Sequence, residues 1–158
     1  MKKMILIGLA MVAVLLICNN GYAQGGVPLP KDIVIKPPSP ELPKEIAAFS
    51  GKWKGKWDGK IDFIVVVTEI DSEKAEIIYA NAEYPSTRLA AACAYETAKV
   101  ISGEKPKIEF HMTIKFTGGA AVGGMGWYTF EMQKDLKTLK GVIKYPQATM
   151  KATLEKSE

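Results

Sequence analysis

The side chains in this chain that could do chemistry are few and scattered. His111 is the single histidine, placed among Glu109, Thr113 and Lys115 on the polar side of an alternating run. Without a second histidine or a cysteine pair at ligand spacing, it reads as a solvated imidazole. Cys93 could act as a nucleophile only if the fold joined it to His111 and a third group oriented the base, and no such group stands out. The carboxylates Glu69 with Asp71, and Glu73 with Glu76, fall at lysine-rich turns where solvation accounts for them. They do not form the paired acid and base of a glycosidase. The run from Gly118 to Gly126 lacks the Gly-Lys-Ser/Thr ending of a phosphate loop and joins two strands instead of opening a helix. It reads as a flexible hairpin or a lid. No catalytic residue, metal ligand or cofactor site is expected, and the chain is not expected to be an enzyme.

The elements that would position any site are strands. In Phe49 to Gly59, a strand puts Phe49, Gly51, Trp53, Gly55 and Trp57 on one face and Ser50, Lys52, Lys54, Lys56 and Asp58 on the other. Glycines between the aromatics let such a strand bend sharply, as a closing barrel requires. Lys60 to Ile70 is apolar on both faces, with Ile61, Phe63, Val65 and Val67 opposed to Ile64, Val66 and Ile70, so both of its sides should be covered. Glu73 to Ala82 turns Ala75, Ile77 and Tyr79 inward. Tyr84 to Ala92 reads as a loop or helical turn, and Tyr95 to Ile101 as a strand. Next, Ile108, Phe110, Met112, Ile114 and Phe116 alternate with polar residues. Trp127 to Met132, Leu136 to Tyr145 and Ala148 to Glu155 complete the set. Eight short strands without a crossover helix predict an all-β, eight-stranded antiparallel up-and-down sheet, closed into a barrel that removes its own edges.

Ahead of the strands lie two other segments. Residues 1–23 carry a basic tip (Lys2, Lys3), an apolar run and the small pair Gly21 and Ala23, the pattern of a cleaved secretory signal. Export to the periplasm or medium is the expected address, with lipidation at Cys18 the alternative route to a membrane. Residues 24–45 hold Pro28, Pro30, Pro37, Pro38, Pro40 and Pro43. They are expected to form an extended linker, on the order of 50–60 Å at polyproline II rise, ahead of a barrel domain at 46–158. Asp32 to Lys36 could also add to a strand edge. The chain has 21 basic and 17 acidic residues. Loss of Lys2 and Lys3 with the leader reduces the excess to about two, and the remaining lysines are dispersed along the chain. Nucleic acid is therefore not an expected partner.

Phe49-Ser50-Gly51-Lys52-Trp53 resembles the Phe-x-Gly-x-Trp opening of lipocalins and related calycin barrels, and the strand count and length agree. The resemblance covers Phe49 to Lys156 and implies that Trp53 closes one end of a bacterial lipocalin-like barrel holding a small apolar ligand. The chain lacks the Asn-x-Asp ahead of the Phe, the Thr-Asp-Tyr loop motif, and the late arginine that packs on the Trp. By the resemblance, Lys144 or Lys151 would take that arginine's place.

Two functional readings follow. In one, Trp53, Phe63, Tyr79, Phe110, Met112, Trp127 and Ile143 line an interior pocket for a small apolar or amphipathic molecule. In the other, such side chains fill the barrel, and the protein is an envelope interaction module working through its outer surface, with a sugar surface at Trp57 or Tyr128 as a special case. Gly51, Gly55, Gly126 and Gly141 favour the first by leaving space, and the abundance of Ile, Phe and Met favours the second.

Overall fold

The computed structural model of the chain describes residues 21–22, 26–87, 89–113 and 124–157. Of the expected signal segment only Gly21 and Tyr22 are among them, paired antiparallel with Pro28 and Leu29; Cys18, Ile114, Phe116 and the Gly118 to Gly123 part of the glycine-rich run lie outside. Eight strands follow one another: β1 (Gly51–Trp57), β2 (Ile61–Ile70), β3 (Lys74–Asn81), β4 (Ala92–Ile101), β5 (Lys107–Thr113), β6 (Met125–Met132), β7 (Thr138–Lys144) and β8 (Thr149–Ser157). Each pairs antiparallel with its neighbours in sequence. β8 pairs with β1 to close the barrel.

Alternation explains the fold. In β5 the pattern buries Ile108, Phe110 and Met112 and leaves His111 and Thr113 outside. In β6 it buries Gly126, Tyr128, Phe130 and Met132. The loop predicted between Tyr84 and Ala92 contains a short 3-10 turn at Pro85–Thr87. One end of the barrel is floored by α1 (Lys44–Ala47), whose Ile46 is buried together with Phe49. Trp53 packs above this floor and donates from Nε1 to the Phe49 carbonyl at 2.7 Å. The cation over its ring is neither Lys144 nor Lys151. It is Lys156, with Nζ 5.3 Å from the ring centroid and 2.9 Å from the Ala48 carbonyl oxygen. The final strand reaches the floor at its C-terminal end, so its last lysine is the one in range.

Two further expectations change. Ile70 faces inward with Phe63, Val65 and Val67, not outward with Ile64 and Val66. A bulge causes this: Val67 opposes Ile77 and Glu69 opposes Glu76, so Thr68 is an extra residue and the phase shifts by one. The proline-rich segment, expected to stand off as a spacer, lies against the barrel. Val27 and Leu29 are buried on an outer apolar stripe made by Ile64, Val66, Ile78 and Ala80. Farther along, Lys36 donates its backbone N–H to the Thr68 carbonyl at 2.7 Å. A closed barrel offers no edge for strand addition, and the bulge supplies the one acceptor that Lys36 takes.

Candidate functional site

The interior is an aromatic stack. Trp57 lies flat on Phe63 with centroids 4.2 Å apart, and Phe110 lies flat on Tyr128 at 4.8 Å. Phe130 and Tyr79 bridge the two pairs at 5.1–6.2 Å. Glycines that could have opened space have been filled by their neighbours. A Cβ on Gly141 would meet Phe130 and Trp57 at 3.0 Å, one on Gly55 would meet Leu154 at 2.9 Å, and one on Gly126 would meet Tyr145 at 2.8 Å. The polar atoms among these rings find partners in one another. Trp57 Nε1 donates to the Tyr79 hydroxyl at 3.0 Å, and the Tyr128 and Tyr145 hydroxyls lie 3.5 Å apart. Burial pushes all three phenols above the ordinary tyrosine range.

Of the seven residues expected to line a pocket, Phe63, Tyr79, Phe110, Met112 and Ile143 are buried in this interior cluster. Trp53 belongs to the floor. Trp127 is on the other side of the wall, 51% exposed, because Gly126 and Tyr128 hold the inward phase. The two residues expected to offer a sugar surface, Trp57 and Tyr128, are both buried. Trp127 is the exposed indole of the outer wall.

On that wall Trp127 stands between His111 of β5 and Lys144 of β7, its direct cross-strand partners. They line an open furrow of about 540 Å³ with Thr97, Lys99, Glu109 and Thr129. The furrow runs over the weakest seam among the described residues. There β4 and β5 are joined only from Lys99↔Glu109 to Ile101↔Lys107. Above these pairs sits Glu96, in phase with the inward Ala98 and Val100; burial raises its carboxyl, and the nearby His111 opposes that shift. Alternation alone could have located Trp127. The seam could not be read from β4 or β5 separately.

The chain matches no family model, no curated protein and no solved structure. The other chemically suggestive residues have structural roles. Asp71 accepts from the backbone N–H groups of Glu73 and Lys74, which hold its carboxyl below the usual range. Glu69 pairs with Lys36 at 2.6 Å, and Glu76 accepts from Thr97 at 2.9 Å. Cys93 packs at the margin of the outer apolar stripe under the leader. Among the described residues, no cluster of His, Cys, Asp or Glu is arranged to hold a metal ion.

Sharing β7 with the Trp127 furrow, a second and larger one of about 860 Å³ crosses β7, β8 and β1. Lysines dispersed in sequence meet here. Lys140 on β7 stands between Glu131 of β6 and Thr153 of β8, whose hydroxyl accepts from Lys140 Nζ at 2.8 Å, and Lys56 of β1 lines the same furrow. Lys151 lies one step along, its backbone N–H bonded to the Asp58 carboxylate at 2.9 Å.

Proposed function

We propose that this protein is a non-enzymatic binding module of the cell envelope, exported, whose filled barrel serves as a rigid frame for an outer surface that contacts glycan. The observation that carries this reading is the occupation of the glycine slots at 55, 126 and 141 by neighbouring side chains. A carrier of small apolar molecules needs a void on the order of 300 Å³ or more, and the close stacking of Trp57 on Phe63 and of Phe110 on Tyr128 supports a filled interior instead. The Phe49 to Trp53 motif under a lysine resembles the lipocalin and calycin barrels, and that likeness concerns fold, not cargo.

An exposed indole ring beside a cation and an imidazole suits a sugar ring. The apolar face of the sugar stacks on Trp127, and its hydroxyls meet His111, Lys144 and Thr129. The test is a glycan-array screen of the mature protein beside Trp127→Ala. Retention by an oligosaccharide that weakens about tenfold or more in the variant supports the reading. Tight one-to-one binding of a fatty acid or another apolar probe, unaffected by Trp127→Ala, would overturn it in favour of an interior carrier.

A further inference from the structure

We infer that the glycan is met at a bilayer surface: the barrel docks by the rim that carries Tyr95, Met125 and Trp127, and its occupant is the sugar headgroup of a glycolipid. This rests on the glycan-contact reading above and names the class of glycan.

The floor closes the barrel where β1 begins, and the three side chains gather toward the other end. The β5–β6 pairing ends there at Thr113↔Met125, and Trp127 follows Met125 on the same outer face. Tyr95 lies in the half of β4 that begins beside Asn81, at the same end. The register of β4 on β5, carried past Lys99↔Glu109, sets Tyr95 level with Thr113 and Met125. Met125 and Trp127 are thus about 7 Å apart, and Tyr95 stands two strands away, on the order of 10 Å. Tyr95 is 46% exposed, Met125 45% and Trp127 51%, and no other large hydrophobic side chain is exposed on the described strands.

Elsewhere the chain hides its outer apolar surface. The leader covers Ile64, Val66, Ile78 and Ala80 but leaves these three side chains bare. A second copy of the chain does not suit the rim. About half of three large side chains gives on the order of 300 Å², whereas a stable protein interface takes about 800 Å² from each partner. A bilayer needs no complementary shape.

The residue types agree with a membrane interface. Trp and Tyr join an apolar ring to a polar tip and settle at headgroup depth, and the thioether chain of Met adapts to what it meets. β6 has no charge before Glu131, so seating its first half desolvates none. Lys144 is the cation placed for headgroups, because its cross-strand partners Trp127 and Thr149 are uncharged. Of the outward carboxylates nearby, Glu109 pairs with Lys107 at 2.8 Å, and Glu76 accepts from Thr97 at 2.9 Å. A free sugar stacked on Trp127 uses one of the three exposed side chains. A sugar whose lipid stays in the bilayer accounts for Tyr95 and Met125 as well.

The experiment is tryptophan quenching by vesicles with brominated acyl chains, made of phosphatidylethanolamine and phosphatidylglycerol, with and without digalactosyldiacylglycerol. Trp53 and Trp57 are buried, so quenching reads Trp127, and its loss in Trp127→Phe assigns the signal. Attachment through any other segment leaves that ring unquenched. The expected result is quenching that saturates at several-fold less lipid when the glycolipid is present, and that needs about tenfold more lipid in Tyr95→Ser/Met125→Ser. An unchanged thermal midpoint of the double variant shows that it is folded. No quenching by either vesicle, or quenching that the double variant leaves unchanged, overturns the inference. Loss of soluble oligosaccharide binding in Trp127→Ala would still leave the glycan-contact reading standing. Equal quenching by both vesicles overturns the glycolipid in favour of plain bilayer docking. An apolar probe that binds the interior sinks the underlying reading itself.

Discussion

Two outer faces of the same barrel are treated in opposite ways. Over β2 and β3 the wall is apolar, and the chain covers it with its own leader, burying Val27 and Leu29 on Ile64, Val66, Ile78 and Ala80. Over β7, β8 and β1 the wall is studded with lysine, and among the described residues no segment lies over it. An apolar face left bare invites aggregation, so the fold must cover it. A charged face with carboxylates set opposite its lysines is soluble by itself, so folding leaves it bare.

The comparison has consequences that can be measured, and the largest concerns what both faces are built upon. Trp57→Ala removes a ring stacked on Phe63 and leaves the Tyr79 hydroxyl without its donor. Chemical denaturation should show a loss of about 3–5 kcal/mol. A loss below about 1 kcal/mol would mean that the stack is loose. The covered face gives the next effect. Leu29→Ala should cost about 2–3 kcal/mol, whereas Val34→Ala, at a side chain 76% exposed, should stay within about 0.5 kcal/mol. Equal, negligible effects would mean that the leader is a detached spacer after all.

At the floor, Lys156→Met should cost about 1 kcal/mol and shift the Trp53 emission, because it removes the cation over the ring and the bond to Ala48. An unchanged spectrum would remove Lys156 from that role. The smallest effect at neutral pH comes from the phenols. Tyr79, Tyr128 and Tyr145 are held above the ordinary value near 10. Their contribution to stability is whole below that value and is lost as pH rises past it. Tyrosinate absorbance should therefore develop in two stages, exposed phenols first and these three only with unfolding. A single smooth titration of all phenols in the folded protein would contradict their burial.

Much of this architecture is legible in the residues. Alternation in β5 and β8, turn residues between runs, and the Phe49 to Trp53 opening indicate strands, order and closure, because each is a local pattern with period two. What escaped reading has physical reasons. The bulge at Thr68 lies in a strand apolar on both faces, so the slip of one residue leaves no trace in the pattern. Leader prolines do favour extension, but extension says nothing about whether Val27 and Leu29 find a surface. That surface exists only after β2 and β3 pair. The lysine furrow joins residues about a hundred positions apart through closure of β8 on β1, so dispersal in sequence concealed clustering in space. Trp127 differs: its outward phase was readable from the alternation with Gly126, Tyr128, Phe130 and Met132.

The most direct test of a filled barrel is a two-dimensional NMR titration of the protein with a long-chain fatty acid, following Phe110, Tyr128 and Ile143 beside Trp127. A filled interior predicts that the three inner signals stay in place up to millimolar probe. Saturable one-to-one shifts of those signals at micromolar probe would contradict it.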